Sequence, residues 1–106
     1  MGLFEFLKLP DINAGVQNYR NTADSILLDV RTPVEYREGH IPGSINLPLQ
    51  SLDNADEIIE NIDTPIFVYC HSGARSRQAM RILQTIGYSN VMNIGGITAY
   101  LGKVER

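Results

Sequence analysis

Ile66-Phe67-Val68-Tyr69-Cys70-His71-Ser72-Gly73-Ala74-Arg75-Ser76 contains the only cysteine of the chain. The first four residues are a β-like apolar run. The residues from Cys70 to Ser76 form a short polar loop, and a segment with strong helical periodicity follows. A thiol placed where a strand gives way to a loop and a helix start lies where backbone N–H groups converge and favour an anion. The stretch therefore predicts an α/β fold with Cys70 at the carboxyl end of a central strand, its thiol acting as a nucleophile in an anion-binding cradle.

Working outward, strands and helices alternate along the chain. Asp11 is a candidate cap for a first helix with Ile12, Val16 and Tyr19 on its buried face, although Gly15 in its middle costs about 1 kcal/mol relative to alanine. Ser25 to Val30 reads as a buried strand. Thr32, Pro33 and Glu35 have the pattern of a capping box with proline at the first helical position, opening a helix that Gly39 and Pro42 keep short. Ile41-Pro42-Gly43 is a turn, and Ser44 to Leu47 a short strand stopped by Pro48. Leu49, Leu52, Ile58, Ile59 and Ile62 predict an amphipathic helix. After the loop, a helix is expected to begin near Ser76, with Ala79, Ile82, Leu83 and Ile86 inward and Gly87 closing it. Val91 to Ile94 is the next strand, ended by Gly95-Gly96, and Ile97 to Leu101 a last short helix. The alternation predicts one α/β domain over residues 1–106, with a small, mostly parallel sheet of four to five strands and helices on both faces. Its core runs from about residue 11 to 102, and residues 1–10 form an amino-terminal extension.

A chain of 106 residues, 43% hydrophobic and 20% charged, has the composition of a single globular domain. Its net charge of −3, with no basic tract, gives no reason to expect nucleic acid. One cysteine cannot build an intrachain disulfide framework, and no cluster has zinc-ligand spacing. A reducing compartment suits that usage, and the cytoplasm is the expected location. Met1 to Leu9 is apolar but too short to span a bilayer, which takes about 18 residues. It lacks a basic start and a cleavage site. Gly2 invites a myristoylation reading, but Phe6 stands where Ser or Thr is wanted. Packing of this segment on the domain or on a second subunit is preferred to a membrane-surface anchor, so the expectation is no membrane and a monomer or weak homodimer.

The chemistry of the loop can be bounded numerically. A free thiol of pKa near 8.5 is only about 3% thiolate at pH 7. Making thiolate the major form takes a shift of ~2 units, about 2.7 kcal/mol. A helix terminus supplies ~0.3–1 kcal/mol, or ~2 when partly buried. Amides of residues 71 to 76 aimed at the sulfur make up the difference, at ~1.5–3 kcal/mol for each hydrogen bond to a charged group. Gly73 allows the positive φ that curls such a loop into a nest. A lone cysteine is otherwise most often a small buried hydrophobe. The polar loop, glycine and helix start behind Cys70 argue against that reading here.

These residues resemble the rhodanese-like domains over about Asp11 to Gly102. Leu28-Asp29-Val30-Arg31, Glu35-Tyr36 and Gly39-His40-Ile41-Pro42-Gly43-Ser44 resemble the first family signature. Cys70 to Ser76 resembles the active-site loop, and Gly95-Gly96-Ile97 with Tyr100 the last signature, where Tyr100 replaces the tryptophan of many members. The resemblance implies sulfur transfer, with no metal and no organic cofactor. A Cys70 thiolate takes sulfane sulfur from thiosulfate or a persulfide, and the resulting persulfide passes it to cyanide, a thiol or an acceptor protein. With no second cysteine, an external acceptor is required.

The expected site is catalytic Cys70 with His71, Ser72, Gly73, Ala74, Arg75 and Ser76 binding substrate. Cys70 and Arg75 enclose four residues, as in the sulfur-transferring members, whereas the related phosphatases enclose one more. Arsenate reduction and phosphatase activity are less favoured alternatives, and a non-catalytic binding module is a further one. For Arg75, attraction of an anionic donor and a purely long-range charge stand equal. His71 reads as an exposed loop residue, Ser72 as a hydroxyl donor, and Ser76 as a donor or a helix cap. Asp29, Arg31 and Glu35 read as a structural charge network, and His40 as a packing residue.

Overall fold

Strands β1 (Ile26–Asp29), β2 (Ile45–Asn46), β3 (Ile66–Cys70) and β4 (Val91–Gly96) form a four-stranded sheet in the order β2-β1-β3-β4, each neighbouring pair parallel. The structure is a computed structural model and describes residues 9–106. The myristoylation and membrane-anchor readings concern residues 1–8 and lie outside the described residues. Three α-helices, α1 (Ile12–Arg20), α2 (Pro33–Glu38) and α3 (Ala74–Ile86), and two 3₁₀ helices, Leu49–Glu57 and Ile97–Ala99, complete the fold.

The two central strands are apolar runs because both of their faces are covered. Ile66, Val68 and Cys70 of β3 join Leu28, Val30, Leu52, Ala79 and Leu83 in a core under α3 and the longer 3₁₀ helix. Phe67 and Tyr69 point the other way, into a second core with Ile12, Val16, Leu27 and Ile94 under α1. From β1 the chain moves outward to β2, then returns across β1 to place β3. The reversal opens a crevice at the carboxyl ends of β1 and β3, where ligands gather in open α/β sheets. Cys70 is the last residue of β3, so the topology delivers the thiol to that crevice.

Local signals in the sequence work as the chemistry requires. Asp11 caps α1, its carboxylate accepting from the backbone N–H groups of Asn13 and Ala14. Thr32 and Glu35 form the reciprocal capping box of α2, with Pro33 at the helix start. Gly87 ends α3, its N–H donating to the carbonyls of Leu83 and Gln84.

Four local expectations are corrected. The segment after Pro48 is a 3₁₀ helix ending at Glu57 and not an α-helix reaching Ile62. Leu49, Leu52 and Ala55 recur every third residue, which a three-residue turn brings to one face. Ile59 is buried beyond the helix, while Ile58 and Ile62 are exposed. Helix α3 starts at Ala74, and its inward stripe is Ser76, Ala79 and Leu83, leaving Ile86 exposed. Gly95 and Gly96 lie inside β4 because they pair with Tyr69 and Cys70. The last helix is a 3₁₀ turn, Ile97–Ala99.

Gly15, which weakens α1 as an isolated helix, is explained by packing. A Cβ built there would lie 2.4 Å from the Cβ of Ile94. That atom is fixed to the β4 backbone and cannot swing aside. The G15A variant is therefore expected to lose ~1–3 kcal/mol in urea unfolding, although alanine is the better helix former by about 1 kcal/mol.

Candidate active site

Cys70 is wholly buried, its side chain turned under the first turn of α3. The loop His71-Ser72-Gly73 bends back over it. Gly73 has φ +107, a conformation that L side chains rarely adopt, and its N–H donates to Sγ at 3.0 Å. The loop rests on Gly96 of β4. A Cβ there would stand 2.3 Å from the carbonyl oxygen of His71 and 2.5 Å from the Cα of Ser72, so only a glycine lets strand and loop pass this closely.

Ser76, also wholly buried, is the second group on the sulfur. Cys70 Sγ donates to Ser76 Oγ at 3.5 Å. Burial pushes the Cys70 thiol up, but the Ser76 hydroxyl and the N–H groups of Ser76, Gly73 and Ser72 favour the anion and bring it below the ordinary thiol value overall. The hydroxyl contributes more than any single amide. Ser76 lies inside the first turn of α3 and is not its cap, that position being held by Gly73. The hydroxyl is thereby free to face the sulfur.

Two arginines at the crevice are each held by a carboxylate. Arg75 Nη1 and Nη2 donate to Glu35 Oε1 and Oε2 at 2.7 and 2.9 Å. The Arg75 guanidinium, aided by the Thr32 contacts, holds the Glu35 carboxyl at about 2 against an ordinary 4.5. Glu35 Oε1 also accepts from the N–H and hydroxyl of Thr32, so one carboxylate joins the cap of α2 to the start of α3. Arg31 forms a buried pair with Asp29 at 2.7 Å and donates from Nη2 to the Gly39 carbonyl. Beside the loop, a groove of about 340 Å³ is lined by Arg31, Glu35, Glu38, Gly39, His71, Ile97 and Val104. A larger cavity, about 510 Å³, lies along α1 and the edge of β4 and contains no loop residue. A further cavity of about 350 Å³ is lined by Ser72, Gly73, Ala74, Asn93 and Gly96, so it and the groove at His71 both adjoin the loop that follows the thiol.

Of the predicted site residues, Cys70, Gly73 and Ser76 meet at the sulfur. His71 and Ser72 are exposed on the loop, Ala74 opens α3, and Arg75 turns to Glu35. His40 stacks on Tyr36 at 3.7 Å and takes no part in the cradle. Sequence reasoning missed Asn93, whose Oδ1 accepts from Ser76 Oγ at 2.7 Å. The only signal for it was a polar residue in an apolar strand, two positions before Gly95. Among the described residues, no group of three His, Cys, Asp or Glu side chains is placed to hold a metal ion. No helix among them is long and apolar enough to cross a membrane.

The family description "Rhodanese-like domain" matches residues 13–103. A sulfurtransferase of Allochromatium vinosum is 41% identical over 86 residues, covering 79% of this chain and 78% of the relative. The thiosulfate sulfurtransferase PspE of Escherichia coli is 40% identical over 72 residues, covering 66% and 68%. A solved structure described as a rhodanese with anions from E. coli superposes with a TM-score of 0.72 at 31% identity, covering 77% of this chain and 98% of that one.

Replacing Gly73 with valine forces a side chain into the left-handed region and withdraws the N–H from the sulfur. Titration of the thiol by its ultraviolet absorbance is expected to show a Cys70 pKa higher by ~1 unit, the value of one hydrogen bond to a charged acceptor. The Glu35–Arg75 pair gives a pH signature. Glu35 titrates lower in the folded chain than in the unfolded one, so its stabilisation is complete above about 4.5 and is lost as pH falls through about 2. The full linkage value is roughly 3 kcal/mol, which partial exposure of both groups screens to ~1 kcal/mol. E35Q should therefore unfold at lower urea than the parent at pH 7, with the gap narrowing steadily below pH 4.5.

Proposed function

The chain belongs to the rhodanese-like domain family, and on that premise we propose that it is a sulfurtransferase working through a persulfide on Cys70. The observation that carries this reading is the cradle: a wholly buried thiol at the end of β3, met by the Gly73 N–H at 3.0 Å and the Ser76 hydroxyl at 3.5 Å. Likeness to PspE supports thiosulfate as a donor, and the short loop supports sulfur over phosphate. We read the whole chain, with its core at residues 11–102, as one domain that carries the site.

In the first half-reaction the Cys70 thiolate attacks the outer sulfur of the donor. With thiosulfate, the Cys70 S–S bond forms as the donor S–S bond breaks, and sulfite departs with the bonding pair. With a persulfide RS–SH, the thiolate RS⁻ departs and takes up the proton as RSH. Either route leaves a Cys70 persulfide whose charged outer sulfur is stabilised by loop N–H groups. In the second half-reaction, cyanide or a thiolate attacks that outer sulfur and returns Cys70 to the thiolate. Ser72 and Ser76 offer hydroxyls, and Gly73 and Ala74 give the loop its curvature and helix start. His71 borders the entrance groove. Arg75, already neutralised by Glu35, serves more to fix the loop than to attract anions.

Mass spectrometry after treatment with thiosulfate or polysulfide tests the reading. The expected product is one added sulfur on Cys70, removed by cyanide and absent from C70S. Absence of an adduct with every donor would favour a binding module, and Cys70-dependent release of phosphate from a generic ester would make the protein a phosphatase.

A further inference from the structure

Asn93 stands one residue further from the sulfur than Ser76, at an irregularity in β4. Val68 pairs with Asn93 and Tyr69 with Gly95, so Ile94 is an extra residue in the register. Asn93 precedes the bulge and lies opposite Val68, on the sheet face that α3 covers. Its Oδ1 meets two groups, the N–H of Gly95 at 3.0 Å and the Oγ of Ser76 at 2.7 Å. A backbone N–H can only donate, so the atom it meets must be the carbonyl oxygen of the Asn93 amide. Ser76 is then the donor in the 2.7 Å contact.

A serine hydroxyl has one proton. While that proton points at Asn93, the Ser76 oxygen can only accept from Cys70, and the 3.5 Å contact is that of a neutral S–H donating to it. A thiolate has no proton to give and needs the hydroxyl turned toward it. The Gly73 and Gly95 carbonyls lie at 3.1 and 3.4 Å and are the longer alternatives for the same proton. Asn93 is therefore the strongest competitor of the sulfur for the Ser76 hydroxyl.

We propose that Asn93 is a positioning residue that holds the Ser76 hydroxyl in reserve: its Oδ1 accepts the hydroxyl's hydrogen bond while Cys70 Sγ is uncharged, and gives up that bond to Sγ when the thiolate forms. As the thiol ionises, its proton passes to water and Ser76 Oγ–H turns to Sγ, leaving Asn93 with the Gly95 N–H. When sulfur has been accepted, the charge moves to the outer sulfur and Sγ is neutral. The hydroxyl then returns to Asn93. The inference rests on the reading of Cys70 as a nucleophile. The charged groups around the thiol are Arg75 of α3, paired with Glu35 of α2, and Asp29 at the end of β1, paired with Arg31 just beyond it; His71 is adjacent on the loop. Asn93 is itself neutral, so N93A alters the orientation of the hydroxyl without altering charge.

Thiol titration of the intact chain tests this, and it needs no sulfur donor, so its outcome is independent of the persulfide test. S76A should raise the Cys70 pKa by ~1 unit, and N93A should lower it by about 0.5 unit by freeing the hydroxyl. In the S76A background the N93A shift should vanish. N93D keeps the acceptor for Gly95 and binds the Ser76 proton more tightly. It should raise the pKa, and by more when Ser76 is present than when it is absent. A folded N93A with an unchanged or raised pKa overturns the proposal, as does the same shift with and without Ser76. If N93A does not fold, N93D decides: an equal rise in both backgrounds is simple charge repulsion and overturns it.

Discussion

At Gly96 strand β4 and the loop over the thiol pass too closely for even a methyl group, and the rest of the site depends on that contact. The loop cannot sink further without striking the strand. It cannot rise without taking the Gly73 N–H off the sulfur. The approach sets the height at which the Gly73 N–H meets the sulfur at 3.0 Å. β4 is constrained from its other face as well, since Gly15 brings α1 against Ile94. A strand at the sheet edge is held on both sides by backbones that come unusually near.

Burial of Cys70 has two opposed effects. Removing the sulfur from water disfavours its charge, and the same low-dielectric surroundings strengthen every donor aimed at it. The balance falls to the anion because one hydroxyl and several amides act together. Amides beyond the helix terminus supply what the dipole cannot, and the Gly73 N–H reaches the sulfur at 3.0 Å. The Ser76 hydroxyl stands 3.5 Å from the same sulfur, within the first turn of α3 because Gly73 takes the cap position.

The ion pairs at the crevice act as braces. Asp29 accepts from both the backbone and the side chain of Arg31, whose far end reaches the Gly39 carbonyl where α2 stops. Glu35 joins the capping box of α2 to Arg75 on the opposite side of the loop. A buried pair is weak evidence for net stability, because desolvation offsets much of its attraction. Its geometric consequence is firmer: the stretch from Asp29 to Gly39 is held together, and Glu35 ties it to Arg75, 40 residues away, beside the thiol.

The sequence alone determined what depends on near neighbours. Alternating apolar runs and helical stripes specify the parallel α/β sheet, Asp11 and Thr32-Pro33-Glu35 specify two helix starts, and Cys70 with Gly73 specifies a curled loop after the central strand. Such signals are legible because capping, periodicity and positive φ are local chemistry. Leu49 to Ile62 reads as an α-helix but folds as a 3₁₀ helix over Leu49–Glu57, because spacings of three and of 3.6 residues diverge only over several turns. Tertiary structure alone decided that Gly15 and Gly96 are sites of close approach, that Arg75 belongs to Glu35, and that Asn93 accepts from the Ser76 hydroxyl. Each of these joins residues from different elements, and their meeting depends on strand order and register. No local rule contains that information, because a contact across the sheet exists only once the chain has closed on itself.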